Sequence, residues 1–285
     1  VDNTRFSRRL AEKETPAGFD GMDLPETAHM PGGQLLGWQP GKRSYFAAPG
    51  LAWVLEKNTD LVLQLHLHPT GKPEMVQPQL GFYFTDQPPT NTAYRIKLEY
   101  YKVEIPGGEQ DYRVEQSYVL PIDVTLLRIL PHAHYLGKEL RVYALLPDGT
   151  KRWLILIKNW DFNWQGEYTY KAPMALPKGT KLVMDYSYDN SSRNVSNPNQ
   201  PPRLVRYGLE STDEMASCSL QVRAATNLAW QVGAGFRSAP LRVPTTGQAG
   251  FTLLKPTDTG ITFSNRLADA TVANNRLYEI GSGVA

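Results

Sequence analysis

Two histidines and one methionine are the residues of this chain whose types and spacing best suit metal chemistry. His132 and His134 are separated by a single alanine, and Met215 follows far downstream. In an extended strand, residues i and i+2 point to the same face with Cα atoms about 6.7 Å apart, so both imidazoles can reach one ion. Imidazole binds copper, zinc, iron or nickel, whereas a thioether favours cuprous copper. The three residues therefore indicate a copper site.

Other readings of the histidines stay open at this point. A His-X-His strand is also typical of two histidines hydrogen-bonded in a half-buried sheet without a metal. His66 and His68 repeat the same alternation, and His29 lies upstream of them. These three could form a two-coordinate or water-completed additional metal site, or they could be surface or core histidines.

Longer motifs around these residues resemble a known family. The segments LPHAHYLGKELRVYALLPDG, WDFNWQGEY and STDEM resemble the C-terminal catalytic domain of the copper type II, ascorbate-dependent monooxygenases. These are the peptidylglycine-hydroxylating and dopamine-hydroxylating enzymes and their bacterial relatives. The resemblance covers about residues 1 to 225 and implies that His132, His134 and Met215 are catalytic ligands of the copper that activates oxygen. It also places His66, in LVLQLHLHPTGKPE, on the third ligand of a separate, electron-storing copper.

The chain departs from this family at the second copper. No adjacent His-His pair precedes His66, and only His29 lies upstream of it. The opening residues resemble the segment that follows that pair in the family, so we expect the chain to start just after it. The second site is then incomplete, or rebuilt from His66, His68 and His29.

The residues expected at the substrate differ as well. Amidating members hold the substrate carboxylate with Arg, Asn and Tyr, where this chain has Leu130, Ser217 and Ser219. Burying a carboxylate against leucine without a partner is costly, so we do not expect a peptidylglycine substrate.

Composition limits the classes of partner and location. The formal net charge of +2 is too small to indicate nucleic acid or an anionic membrane, so a small-molecule substrate is expected. No apolar run is long enough to span a bilayer, and the polar first residues are not a signal peptide. A copper oxygenase suggests a periplasmic or secreted protein whose targeting segment is removed or lies upstream. The single cysteine, Cys218, excludes an intrachain disulfide, and since animal members of the family are disulfide-stapled this favours a bacterial origin.

Strand patterns dominate the chain and predict an all-β fold of two jelly-roll-like antiparallel β-sandwiches. Gly- and Pro-rich turns separate short alternating or β-branched runs. The predicted strands are 61–67, 79–84, 94–103, 117–120, 139–146, 153–157, 181–188 and 217–222. Only Ser7 to Lys13 is a fair helix candidate.

The expected domains are an incomplete first sandwich at 1–116, a catalytic sandwich at 117–225 and a C-terminal extension at 226–285. The end of the extension resembles the entry strand of an FG-GAP or integrin-like β-propeller repeat, which suggests further domains of a longer polypeptide. An extended tail packed along the second domain explains the same residues.

The sequence therefore predicts a copper-dependent monooxygenase that hydroxylates a C–H bond of a small organic substrate. The resemblance implies dioxygen as co-substrate and ascorbate or another reductant as electron donor. The chain could instead be a non-catalytic copper-binding or electron-transfer module, or a β-sandwich binding domain of a larger secreted protein.

Overall fold

The computed structural model describes residues 1–14, 18–19, 27–38, 42, 44, 46–67, 70–225, 231–233 and 236–238, the last two ranges for the backbone alone. The chain divides into two compact units, Val1–Leu228 and Ala229–Ala285. The helix and strands are α1 (Phe6–Glu14), β1 (Ala93–Glu99), β2 (Glu104–Ile105), β3 (Tyr112–Val119), β4 (Val124–His132), β5 (Gly137–Leu145), β6 (Lys151–Ile157), β7 (Tyr168–Leu176), β8 (Lys181–Tyr188), β9 (Val205–Arg206), β10 (Ser217–Ala224), β11 (Gln231–Gly233) and β12 (Phe236–Ser238).

The first unit contains an antiparallel β-sandwich, which confirms the predicted all-β class. Its first sheet has the strand order β1-β10-β4-β7, and its second sheet has the order β3-β8-β5-β6. One hydrophobic cluster includes Leu126 and Ile129 from the first sheet with Leu140 and Val142 from the second. Because alternate residues of each strand are apolar, each sheet has one face to bury against this shared core.

The strand register fixes which face of the first sheet carries the candidate ligands. Leu98 and Cys218 are paired across β1 and β10 and belong to the core cluster. The next row pairs Glu99 with Ser217 and Ser217 with His132. Since consecutive strand residues point to opposite faces, His132 lies on the face directed away from the core.

The sandwich begins earlier than the sequence predicted. The boundary was expected between residues 116 and 117, yet β1 pairs with β10 and β3 pairs with β8 across it. Strands on both sides of the expected boundary thus share two sheets, and we place the start of the sandwich at or before Ala93.

The residues N-terminal to β1 differ from the prediction more strongly. The helix expected at Ser7 to Lys13 is confirmed as α1, but the expected strands at 61–67 and 79–84 are absent from the described part of these ranges. Leu61, Leu63, Leu65 and Leu67 alternate as a strand would, yet each is 46–62% exposed. An alternating pattern needs a neighbouring strand to form a ladder, and no described segment pairs with this one.

The other described elements are short. β2 pairs with β9, and in the second unit β11 pairs with β12, both antiparallel. No helix within the described ranges is both long and apolar enough to cross a lipid bilayer.

Candidate metal centre

The two histidines lie where β4 ends. His132 is the last residue of the strand, and Ala133, fully buried, belongs to the core cluster. The alternation therefore places His134 on the same outer face as His132. The ring centroids are 5.1 Å apart, with planes at 84°. An ion about 2.0 Å from one nitrogen of each ring would lie about 3 Å from each centroid, so this separation suits one shared ion.

The loop between β6 and β7 orients the ring of His132. Nδ1 of His132 lies 2.6 Å from Oε1 of Gln165. An amide oxygen can only accept, so Nδ1 carries the proton and donates it. Nε2 of His132 is then left with its lone pair, which is the atom a metal needs.

His134 is more deeply buried and is oriented by backbone. Its Nδ1 lies 3.1 Å from the carbonyl oxygen of Asp213, an acceptor that fixes the same tautomer as in His132. Trp160 donates from Nε1 to the carbonyl of His134 at 2.9 Å, and Phe162 packs edge-on against the ring at 5.7 Å. Nε2 is again the nitrogen with a lone pair.

Burial keeps both imidazoles neutral. It lowers the pKa of His132 to about 4, with the neighbouring charge of His134 acting in the same direction. Burial also lowers the pKa of His134, although the hydrogen bond to Asp213 opposes this shift. A neutral imidazole is the form that binds a metal, so both rings are ready to bind near neutral pH.

Glu214 joins the two segments that carry the candidate ligands. This residue is completely buried. Its Oε1 accepts from the backbone amides of His134 and Met215, and its Oε2 accepts from the amide of Leu136 at 3.0 Å. Burial raises the pKa of Glu214 to about 8, against the opposing effect of these amides.

Met215 lies opposite His134. Its amide is 2.7 Å from Oε1 of Glu214, and its carbonyl accepts from the hydroxyl of Tyr188 at 2.9 Å. Two hydrogen bonds to one oxygen place the amide nitrogens of His134 and Met215 within about 6 Å of each other. The backbone of the half-buried Met215 therefore lies beside that of His134, and its role as a sulfur ligand stays a prediction.

The remaining candidate ligands are placed less closely. His66 is exposed, and its charge is among the causes that lower the pKa of His134, so it lies within electrostatic reach of that ring. His29 is also exposed and lines a small cavity beside Val1 and Trp53. The prediction for His68 falls outside the described residues.

The candidate ligands His132, His134 and Met215 would offer two imidazoles and a thioether. Within the described ranges, no three side chains of the types His, Cys, Asp and Glu come together to hold a metal. Among the predicted ligands, Met215 is the one of another type, a thioether. Two neutral imidazoles with a thioether suit cuprous copper better than zinc, magnesium or calcium.

Some contributors to the site could not be assigned from sequence. Tyr188 carries no signal, because it reads as an ordinary residue of a strand. Glu214 accepts from backbone amides, and residue types do not show which amides a carboxyl group will meet. Gln165 and Trp160 support the histidines by hydrogen bonds, and Trp160 also packs against the core.

Comparisons with known proteins give no family. No protein-family model matches the chain, and no curated protein matches it. Among solved structures, the chain is similar to one from infectious bursal disease virus, Gx strain, at a TM-score of 0.20 and 10% identity. That match covers 52% of this chain and 41% of the viral chain, so this chain spans well under two thirds of it. A similarity this low supports no conclusion about function.

Proposed function

We propose that this chain is a copper-dependent monooxygenase in which His132, His134 and Met215 bind one copper ion. The observation that carries the proposal is the paired tautomer of the histidines. Both Nδ1 atoms donate to oxygen acceptors, so both Nε2 atoms keep lone pairs on the same face of the sheet. Hydrogen bonds of this kind orient metal-binding histidines and raise their basicity.

The protein residues contribute position and electronic character. His132 and His134 present neutral nitrogens, and the soft sulfur of Met215 favours the reduced state of copper. Copper, when bound, supplies the activation of dioxygen that hydroxylation of a C–H bond requires. Trp160 donates to the carbonyl of His134, and Phe162 packs edge-on against its ring.

The surroundings of His132 support a small organic substrate without a buried carboxylate. Ser219 pairs with Leu130 across β10 and β4, one row further along the face that carries Ser217 and His132. Ser217 and Ser219 are at most 9% exposed, and neither carries a positive charge. Lys97 of β1 pairs with Ser219 in this row, but its ammonium is ion-paired with Glu99 at 2.5 Å. A substrate carboxylate over this row would lose hydration and would have to compete with Glu99 for an ion pair.

The electrons for the reaction come from outside this site in our proposal. Ascorbate or a similar reductant is the proposed donor, dioxygen is the co-substrate, and a periplasmic or secreted location would suit both. Within the described residues, His66 belongs to no group of three His, Cys, Asp or Glu side chains. It would bind a second copper only together with further ligands.

A non-catalytic copper-binding or electron-transfer module is the second candidate. One observation favours it: His29 and His66 belong to no cluster of three metal-binding side chains in the described part of the chain. A single copper without a nearby second copper could bind tightly and exchange electrons without hydroxylating a substrate.

Copper analysis and oxygen consumption test the proposal. We expect one copper per chain, and substrate-dependent oxygen uptake in the presence of ascorbate. His132→Ala should abolish both, and Met215→Ala should lower Cu(I) affinity at least about tenfold. Met75→Ala is the matched control because Met75 is fully exposed. Stoichiometric zinc in place of copper would contradict the proposal, whereas copper without oxygen uptake would favour the non-catalytic module.

A further inference from the structure

The ladder between β4 and β10 ends at His132, before the other two candidate ligands. The last paired residues are His132 and Ser217. His134 and Met215 lie beyond them, and their amides do not pair with each other's carbonyls as a continuing ladder would require. Another group must therefore hold these two backbone segments together at the site.

The carboxyl group of Glu214 takes over this role. One oxygen accepts from the amides of both His134 and Met215, and the other accepts from Leu136, two residues beyond His134. A carboxyl group has two oxygens with several lone pairs, so it can accept all three amides at once. The ladder is in effect continued by a side chain.

The burial of Glu214 shows that this arrangement is built into the fold. The residue is 0% exposed, and burying a carboxyl group is costly unless hydrogen bonds compensate for lost hydration. The side chain of a residue that only forms a turn could remain exposed to solvent. Here the carboxyl group is placed between the two segments that carry the candidate ligands.

From these contacts we infer that Glu214 is a positioning residue that holds Met215 next to His134. The inference rests on the proposed copper site for its functional meaning. Loss of the carboxyl group separates the thioether from the imidazoles, so the site keeps two nitrogens and loses its sulfur.

A measurement on the full chain without copper tests the positioning directly. Two amide protons about 2 Å from one oxygen lie within about 4 Å of each other. The wild-type chain should therefore show an amide-to-amide nuclear Overhauser effect between His134 and Met215, with slow hydrogen exchange at both. The absence of that effect overturns the inference, whatever the variants do.

Variants then measure the consequence for the metal. Glu214→Ala should lower Cu(I) affinity by about 10- to 100-fold and remove sulfur scattering from the X-ray absorption spectrum of the copper. Glu214→Gln keeps one carbonyl acceptor, so it should restore part of the affinity. Val142→Ala, a core change in β5, controls for lost stability and should leave affinity within about twofold.

The outcomes distinguish the positioning role of Glu214 from copper binding by the chain. If Glu214→Ala binds Cu(I) as tightly as Val142→Ala and retains the sulfur signal, Glu214 has no positioning role. If the wild-type chain binds no Cu(I), the proposed function fails. Loss of the amide-to-amide effect in Glu214→Ala, with its retention in Val142→Ala, then still decides the positioning.

Discussion

Gln165 determines the orientation of His132. Its side-chain oxygen lies 2.6 Å from Nδ1 of His132, so it fixes both the ring plane and the position of the proton. Gln165→Leu removes this acceptor while keeping a side chain of similar size. The ring can then rotate, and Nδ1 no longer has to be the protonated nitrogen.

We predict that Gln165→Leu lowers copper affinity about tenfold, a loss typical when a partner of a metal-binding histidine is removed. Competition with a chelator of known affinity measures this. Asn163→Ala, an exposed change in the same loop, should bind as the wild type does. Equal affinity of the two variants would show that Gln165 does not orient the ring.

The residue scale also shows how much of the site is readable from sequence. The pairing of His132 with His134 is local, and the period of a strand is enough to place both rings on one face. The acceptor for His134 is the backbone carbonyl of Asp213, and a carbonyl belongs to every residue type. Sequence therefore suggests candidate ligands but not the partners that orient their rings.

At the scale of the elements, the start of β5 fixes the indole that supports His134. A Cβ atom added at Gly137 would lie 2.5 Å from Cδ1 of Trp160 and 3.1 Å from Cβ of Ala133. Trp160 also donates to the carbonyl of His134. The absence of a side chain at Gly137 is thus what allows the indole to sit at the site.

We predict that Gly137→Ala displaces Trp160 and destabilises the fold by about 1–3 kcal/mol, as overpacking of a tight contact does. Chemical denaturation followed by tryptophan fluorescence measures this. At Gly81 an added Cβ meets nothing within 4 Å, so Gly81→Ala should change stability little. A Gly137→Ala protein as stable as Gly81→Ala would mean that the indole moves freely.

Helix α1 depends on one acidic side chain outside it. Asp2 is completely buried and accepts from the amide and hydroxyl of Ser7, in the first turn, and from Thr4. Burial alone would raise the pKa of Asp2, but these hydrogen bonds outweigh it and hold the pKa below the usual range. The folded state therefore binds a proton at Asp2 less readily than the unfolded state does.

The sign of the pH effect follows from that shift. The stabilisation by Asp2 is fully present above the ordinary aspartate pKa, near about 4, and is lost as pH falls through the lower folded value. Asp2→Asn should thus be less stable than the wild type at pH 7, and the difference should shrink in strong acid. Urea unfolding at pH 7 and pH 2.5 compares them. A difference that does not change with pH would contradict the role of the charged carboxylate.

The elements also show where sequence patterns suffice. The strands at 139–146, 153–157, 181–188 and 217–222 were predicted from alternation, and β5, β6, β8 and β10 confirm them because each has a paired neighbour. The Leu61 to Leu67 pattern has the same period but no described partner strand. An alternating pattern shows that one face of a segment is suited to burial. A strand also needs hydrogen bonds to a neighbouring strand, which only the tertiary structure supplies.

At the scale of the first unit, residues before β1 cover part of the outer face of the first sheet. Gln221 of β10 donates to the carbonyl of Gly33 at 3.0 Å, and Arg128 of β4 donates to the carbonyl of Leu35 at 3.4 Å. Gln221 is 3% exposed and Arg128 is 5% exposed. The face that carries His132 is thus closed at one end by polar contacts.

We call Gly33, Leu35 and Lys42, which contact the first sheet or the residue next to it, the covering segment. A buried group of charged side chains holds it in place. Glu167, next to β7, forms ion pairs with Arg128 and, at 2.7 Å, with Lys42. Burial, with the charge of Arg128, lowers the pKa of Lys42 to about 8. One carboxylate therefore compensates two cations, and the side chain of Glu167 is only 2% exposed.

We predict that Glu167→Gln destabilises the first unit by about 3–5 kcal/mol, because it leaves buried cations without their anion. Glu104→Gln is the matched control: its ion pair with Arg206 is more than 60% exposed on both sides, so the loss should stay below about 1 kcal/mol. The double variant Glu167→Gln/Arg128→Met should lose less free energy of unfolding than the two single variants together. This is because it also removes one of the two cations that Glu167 neutralises. Denaturant unfolding of the wild type, Glu167→Gln, Arg128→Met and the double variant gives the coupling energy. Additive losses would show that Arg128 and Glu167 act independently, so that Glu167 would hold the covering segment through Lys42 alone.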